Sequence, residues 1–75
     1  MTKIKIALNT KSDITDFVNA FDREGYVITD GTGKYCVAAR SLIGVMYAWS
    51  EWNDMYLINE NGDNEFPVSI ERFRA

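Results

Sequence analysis

A chain of 75 residues holds one domain, and a domain this small buries only about 60% of the surface its unfolded form exposes. Hydrophobic residues make up 47% and charged residues 25%, a globular rather than disordered composition. There is no histidine, which excludes Ser-His-Asp and Cys-His catalysis, histidine metal sites, imidazole pH switches and phosphohistidine.

Eight basic side chains stand against 11 acidic ones, a net charge of -3. The cations are scattered rather than clustered as phosphate contacts require, so a nucleic-acid partner is not expected. Cys36, the single cysteine, has no second thiol to pair with, which fits a reducing, cytoplasmic location. Residues 1–8 alternate polar and apolar instead of forming the apolar core of a secretion signal. No apolar run approaches the roughly 18–20 residues that span a bilayer, so no membrane partner is expected.

In chain order, Ile4, Ile6 and Leu8 fall on one face of an extended segment over residues 2–8, with Lys3 and Lys5 on the other. This is the period-two pattern of a half-buried strand. Ile14, Phe17, Val18 and Phe21 then recur at helical spacing. With Ser12 as N-cap, Asp13 and Asp16 near the positive end of the dipole and Gly25 as stop, they predict a helix over about residues 13–23. Tyr26–Thr29 and Tyr35–Ala38 are β-rich runs around Asp30-Gly31-Thr32-Gly33, a hairpin whose glycines supply positive φ. Ser41 caps a second predicted helix over residues 42–49, in which Gly44 costs about 1 kcal/mol against alanine. Residues 50–54 read as a loop, 55–58 as a fourth strand and 59–64 as a turn. In the tail, Pro67 suits the first turn of a closing helix, while Phe66, Val68 and Ile70 also alternate as a short strand would.

Residues 1–75 therefore form a single α+β domain: an open-faced β-sandwich of one four-stranded antiparallel sheet with two or three helices on one face, in the order βαββαβα.

The stretch Ala39-Arg40-Ser41-Leu42-Ile43-Gly44-Val45-Met46 resembles the regulatory-serine segment of HPr, the histidine-containing phosphocarrier family of the sugar phosphotransferase system. That family carries a basic residue, serine, two bulky aliphatics, glycine, another aliphatic and methionine, and the element order and preceding glycine hairpin are similar too. The resemblance implies a regulatory phosphorylation site at Ser41, written by a serine kinase. It also implies partner docking through the second helix, at Ile43 and Met46 with Tyr47 beside them. The family's active-site histidine, followed closely by arginine and proline, is missing. Thr10 or Lys11 stands at the histidine's place, Ser12 near the arginine's and Asp13 near the proline's. Threonine would form a stable ester and lysine is protonated at neutral pH, so phosphoryl relay is not expected. The chain reads as a non-enzymatic, degenerate HPr-like domain that docks a protein partner, such as a phosphotransferase-system component. The alternative is a regulator modified on Ser41.

Each of these residues also has a plainer reading. Ser41 serves as an N-cap, worth about 1 kcal/mol. Leu42, Val45, Met46 and Trp49 form a buried stripe that leaves only Ile43 and Tyr47 outside. Trp49 closes the core and Trp52 covers a loop edge. Tyr26, Tyr35 and Tyr56 cross-pack on the sheet, and Cys36 is expected buried and inert. The run from Asn59 to Glu65 lacks the ligand offsets of a calcium loop, and neither metal nor cofactor is expected.

Overall fold

The computed structural model describes residues 2–75. Its elements are β1 (Lys3–Ile6), α1 (Lys11–Val18), β2 (Tyr26–Thr29), β3 (Cys36–Ala38), α2 (Leu42–Glu51) and β4 (Met55–Asn59), closed by a 3-10 helix at Val68–Phe73. The four strands form one antiparallel sheet in the order β1-β4-β2-β3. The fold is the expected α+β open-faced sandwich.

This strand order makes two interlocked crossovers. The β1-α1-β2 connection steps over β4, and β3-α2-β4 steps over β2 in the opposite direction along strands of opposite sense. Crossovers between parallel strands are right-handed in about 98% of cases. Two that run in reversed directions along reversed strands then place both helices on one sheet face. The pleat agrees. Ile4, Leu57, Ile28 and Val37 stand in register across the sheet on the covered face, where Ile4, Ile28 and Leu57 join Ile14 and Phe17 of α1 and Val45 and Ala48 of α2 in one core. Lys3 and Lys5 alternate onto the open face and are exposed.

The first helix departs from its predicted bounds. It starts at Lys11 rather than Asp13, with Thr10 instead of Ser12 as N-cap, because the Thr10 hydroxyl accepts from the Asp13 amide at 3.1 Å. It ends at Val18, and Phe21 reaches the core from the following turn by packing edge-on against Phe17 at 5.1 Å. Hydrophobic spacing extended the helix too far because a turn can deliver an aromatic ring to the same place. Gly25 has φ +100° but stands before β2, not at the helix end, and an added Cβ there would overlap the Asn61 side chain.

The hairpin turns through Gly33 at φ +74°, and the Asp30 carboxylate accepts from the Thr32 hydroxyl and the Lys34 amide. Helix α2 runs two residues past Trp49, to Glu51. The tail takes the helical option as a 3-10 helix after Pro67, burying Ile70 and Phe73. Arg74 then bridges Ile6, with Ala7 N–H donating to Phe73 C=O at 2.8 Å and Ala75 N–H to Lys5 C=O at 3.0 Å.

Cys36 corrects the expectation of a buried thiol, since it is exposed. It lies in the same register row as Thr29 and Tyr56, on the side of the sheet away from the helices. It also sits on the outermost strand, with no neighbour beyond it. Composition marks cysteine as a core residue, but the pleat decides which way it faces. Tyr35 likewise lies outside β3 and is exposed, whereas Tyr26 is buried in the sheet.

Candidate functional site

Helix α2 is apolar nearly all round, carrying only one charged residue, Glu51. It is held at its start by Ser41, whose hydroxyl accepts from the Gly44 amide at 3.1 Å. Gly44 is the device that seats it. A Cβ at this position would lie 3.1 Å from the Val37 Cβ and 3.1 Å from the Ser41 hydroxyl. Omitting that carbon lets the first turn lie close against β3, which accounts for a residue that weakens an isolated helix.

Seated this way, α2 turns Val45 and Ala48 fully into the core. The rest of its apolar surface faces solvent: Ile43 is 82% exposed, Tyr47 56%, Leu42 44% and Met46 42%. Ile43, Met46 and Tyr47 are thus brought together on one accessible face, and Leu42 joins them. The buried-stripe reading holds for Val45 only in full and for Trp49 in part. The Trp49 indole N–H donates to Leu8 C=O at 2.7 Å, tying the helix to the segment after β1. Trp52 packs edge-on against Tyr47 at 6.4 Å, continuing the aromatic surface past the helix end. Ser41 is exposed beside this face.

The start of α1, where the resemblance places a phosphocarrier's reactive centre, is closed on itself. Thr10 caps the Asp13 amide, and the Asp13 carboxylate accepts from the Asn9 amide at 2.9 Å. This is a reciprocal capping arrangement built with aspartate. Arg72, from the closing 3-10 helix, reaches Asp16 at 2.9 Å and Asp13 at 3.5 Å. Carboxylates therefore occupy the helix end that would have to receive a phosphoryl group. The capping pair was readable as Thr10-x-x-Asp13; the arginine was not, since 59 residues separate it from Asp13.

Two other polar clusters spend their groups internally. Arg23 pairs with Asp63 at 2.8 Å and donates to the Tyr26 hydroxyl at 2.9 Å, and that hydroxyl donates to Glu65 C=O. The buried Asn59 amide adds bonds to Asp63 and to Glu65 C=O. The Glu65 amide, then Arg23 and Asn59, hold the Asp63 carboxyl below its ordinary value against the opposing effect of desolvation. This is a latch that pins residues 60–66 to the end of β2, where the sequence suggested only a solvated turn. At Asp30, desolvation opposes the charge, and bonds from Thr32 and the amides of Tyr35, Lys34 and Gly33 together outweigh it, leaving that carboxyl depressed as well.

An open cleft of about 400 Å³ lies beside Lys5, Leu8, Trp49, Trp52, Asn53 and Asp54. Its chief polar groups are already matched, Lys5 with Asp54 at 3.4 Å and the Trp49 N–H with Leu8. Among the described residues, no three acidic or cysteine side chains are grouped to hold a metal ion, and no helix is long and apolar enough to cross a membrane. Comparison with family models, curated proteins and solved structures gives no match.

Proposed function

We propose that this chain is a non-catalytic, HPr-like interaction or regulatory domain that docks a protein partner through α2. The observation that carries the reading is the exposed apolar face of Leu42, Ile43, Met46 and Tyr47 on a helix whose burial is otherwise supplied by Val45 and Ala48. Contiguous apolar surface in water is a recognised mark of an interaction site. The motif Arg40 to Met46, lying at the start of that helix after a glycine hairpin, supports the family reading, as does the agreement in element order. The partner fits the phosphotransferase system by resemblance: one of its components, or a serine kinase.

No enzymatic role is assigned. The position matching the phosphocarrier's histidine has neither a transferable group nor an open anion site, because Asp13 and its partners fill the helix end. A cytoplasmic location follows from the same reading.

A second reading is favoured by the position of Ser41. Its exposed hydroxyl stands at a helix N-terminus, where amide groups and the dipole stabilise a phosphate. There the domain acts as a kinase substrate whose docking face is switched by charge.

Intact-mass spectrometry separates the readings. Incubation with phosphoenolpyruvate and enzyme I should leave the mass unchanged, and a phosphoryl gain there would overturn the non-catalytic assignment. A gain with ATP and the family's serine kinase, lost in Ser41→Ala, would select the regulator. For docking, chemical-shift mapping with phosphotransferase components should move Leu42, Ile43, Met46 and Tyr47. Binding that leaves α2 silent would refute it.

A further inference from the structure

The two edges of the sheet are treated differently. The β1 edge is covered over its C-terminal half by the tail, through the Ala7–Phe73 and Lys5–Ala75 backbone bonds. The β3 edge carries no such cover.

The register shows which groups it leaves open. Asp30 N–H donates to Tyr35 C=O and Ala39 N–H to Tyr26 C=O, so residues 35, 37 and 39 direct their backbone groups toward β2. Alternation in an antiparallel ladder turns those of Cys36 and Ala38 outward. Ala38 C=O accepts from the Ser41 amide at 3.1 Å. Cys36 N–H, Cys36 C=O and Ala38 N–H remain, a two-residue repeat of the kind an added strand binds.

Both ends of this edge are cationic. Lys34 has no carboxylate partner among the described residues, and its ammonium lies 5.7 Å from the centre of the exposed Tyr35 ring. Arg40 pairs only with Glu24, whose side chain is 82% exposed. The nearest hairpin carboxylate, Asp30, is turned onto its own loop. Because exposed charges beyond about 8 Å are largely screened at physiological ionic strength, these two cations outweigh the net charge of -3 at the edge. A second copy fits poorly. Antiparallel pairing about Val37 sets Lys34 of one copy against Arg40 of the other.

We propose that the outer edge of β3 receives an extended, acidic segment of a partner protein as a fifth strand, bonded to Cys36 and Ala38 and flanked by carboxylates at Lys34 and Arg40. This surface is separate from the exposed face of α2, and either can fail without the other.

The test uses the ¹⁵N-labelled full chain under reducing conditions with two peptides, Glu-Thr-Val-Thr-Val-Thr-Glu and its counterpart with lysine at both ends. The acidic peptide should shift the Cys36 and Ala38 amides and slow their hydrogen exchange. The lysine-ended peptide should bind roughly tenfold more weakly. Cys36→Pro removes an outward N–H without touching the β2 ladder, a position where edge strands tolerate proline, and should weaken binding roughly fivefold. Lys34→Glu, which leaves the backbone intact, should also weaken it and keeps the test decisive if the proline variant unfolds. Equal binding of the two peptides would overturn the proposal. So would a response confined to α2, undiminished binding by a folded Cys36→Pro variant, or a peptide-independent dimer protecting the same two amides.

Discussion

The two helices share one face of the sheet yet treat their apolar residues in opposite ways. Helix α1 has three large apolar residues: Ile14 and Phe17 are buried and Val18 is half-buried against the core. Its charged residues face water or Arg72. Helix α2 is the more hydrophobic, yet it commits only Val45 and Ala48 fully to the core and leaves four large apolar side chains in solvent. The difference is one of supply against need. A narrow strip of each helix suffices to cover a four-stranded sheet, so the surplus on α2 adds nothing to the core, and its cost in solubility is explained by recognition.

That contrast is broken most directly at its extremes. Phe17→Ala should destabilise the fold by about 3–5 kcal/mol, because the ring is fully buried and packs edge-on against both Phe21 and Phe73. A small domain has little reserve, so circular dichroism should find this variant largely unfolded without denaturant. A native-like urea midpoint would show that the core does not depend on α1 as described.

The caps sharpen the comparison at intermediate size. Thr10→Ala and Ser41→Ala each remove a side-chain acceptor from a first-turn amide, so each should cost about 1 kcal/mol in urea unfolding. Equal losses would mean that both helices are held alike at their starts and differ only in what they expose. A Ser41→Ala variant with unchanged stability would assign the hydroxyl to function alone.

The smallest effect is expected at Ile43→Ser. Its side chain is 82% exposed, so stability should stay within about 0.5 kcal/mol of the parent while partner-induced shifts on α2 are lost. A large fall in the urea midpoint would instead make Ile43 a packing residue and remove the support for docking.

Local chemistry made much of this legible in advance. The strand alternation of Ile4 and Ile6, the Asp30–Gly33 hairpin and the Ser41 cap each depend on neighbours within a few residues, and each was readable from spacing. The same holds for the apolar excess of residues 42–49. The errors fell where a distant partner decides. Phe21 is buried from a turn because Phe17 and Tyr26 wait for it, and the residue 60–66 segment is latched because Arg23 and Tyr26 reach it from across the chain.

By itself, then, the sequence determined the element order, the absence of histidine chemistry and the presence of one over-hydrophobic helix, since these follow from composition and short-range periodicity. Only the tertiary structure decided which side of α2 faces water, that Cys36 lies on the open face of the sheet, and that the tail seals one sheet edge and leaves the other free. Those outcomes depend on strand order and pleat register, which pair residues far apart in the chain and leave no periodic trace along it.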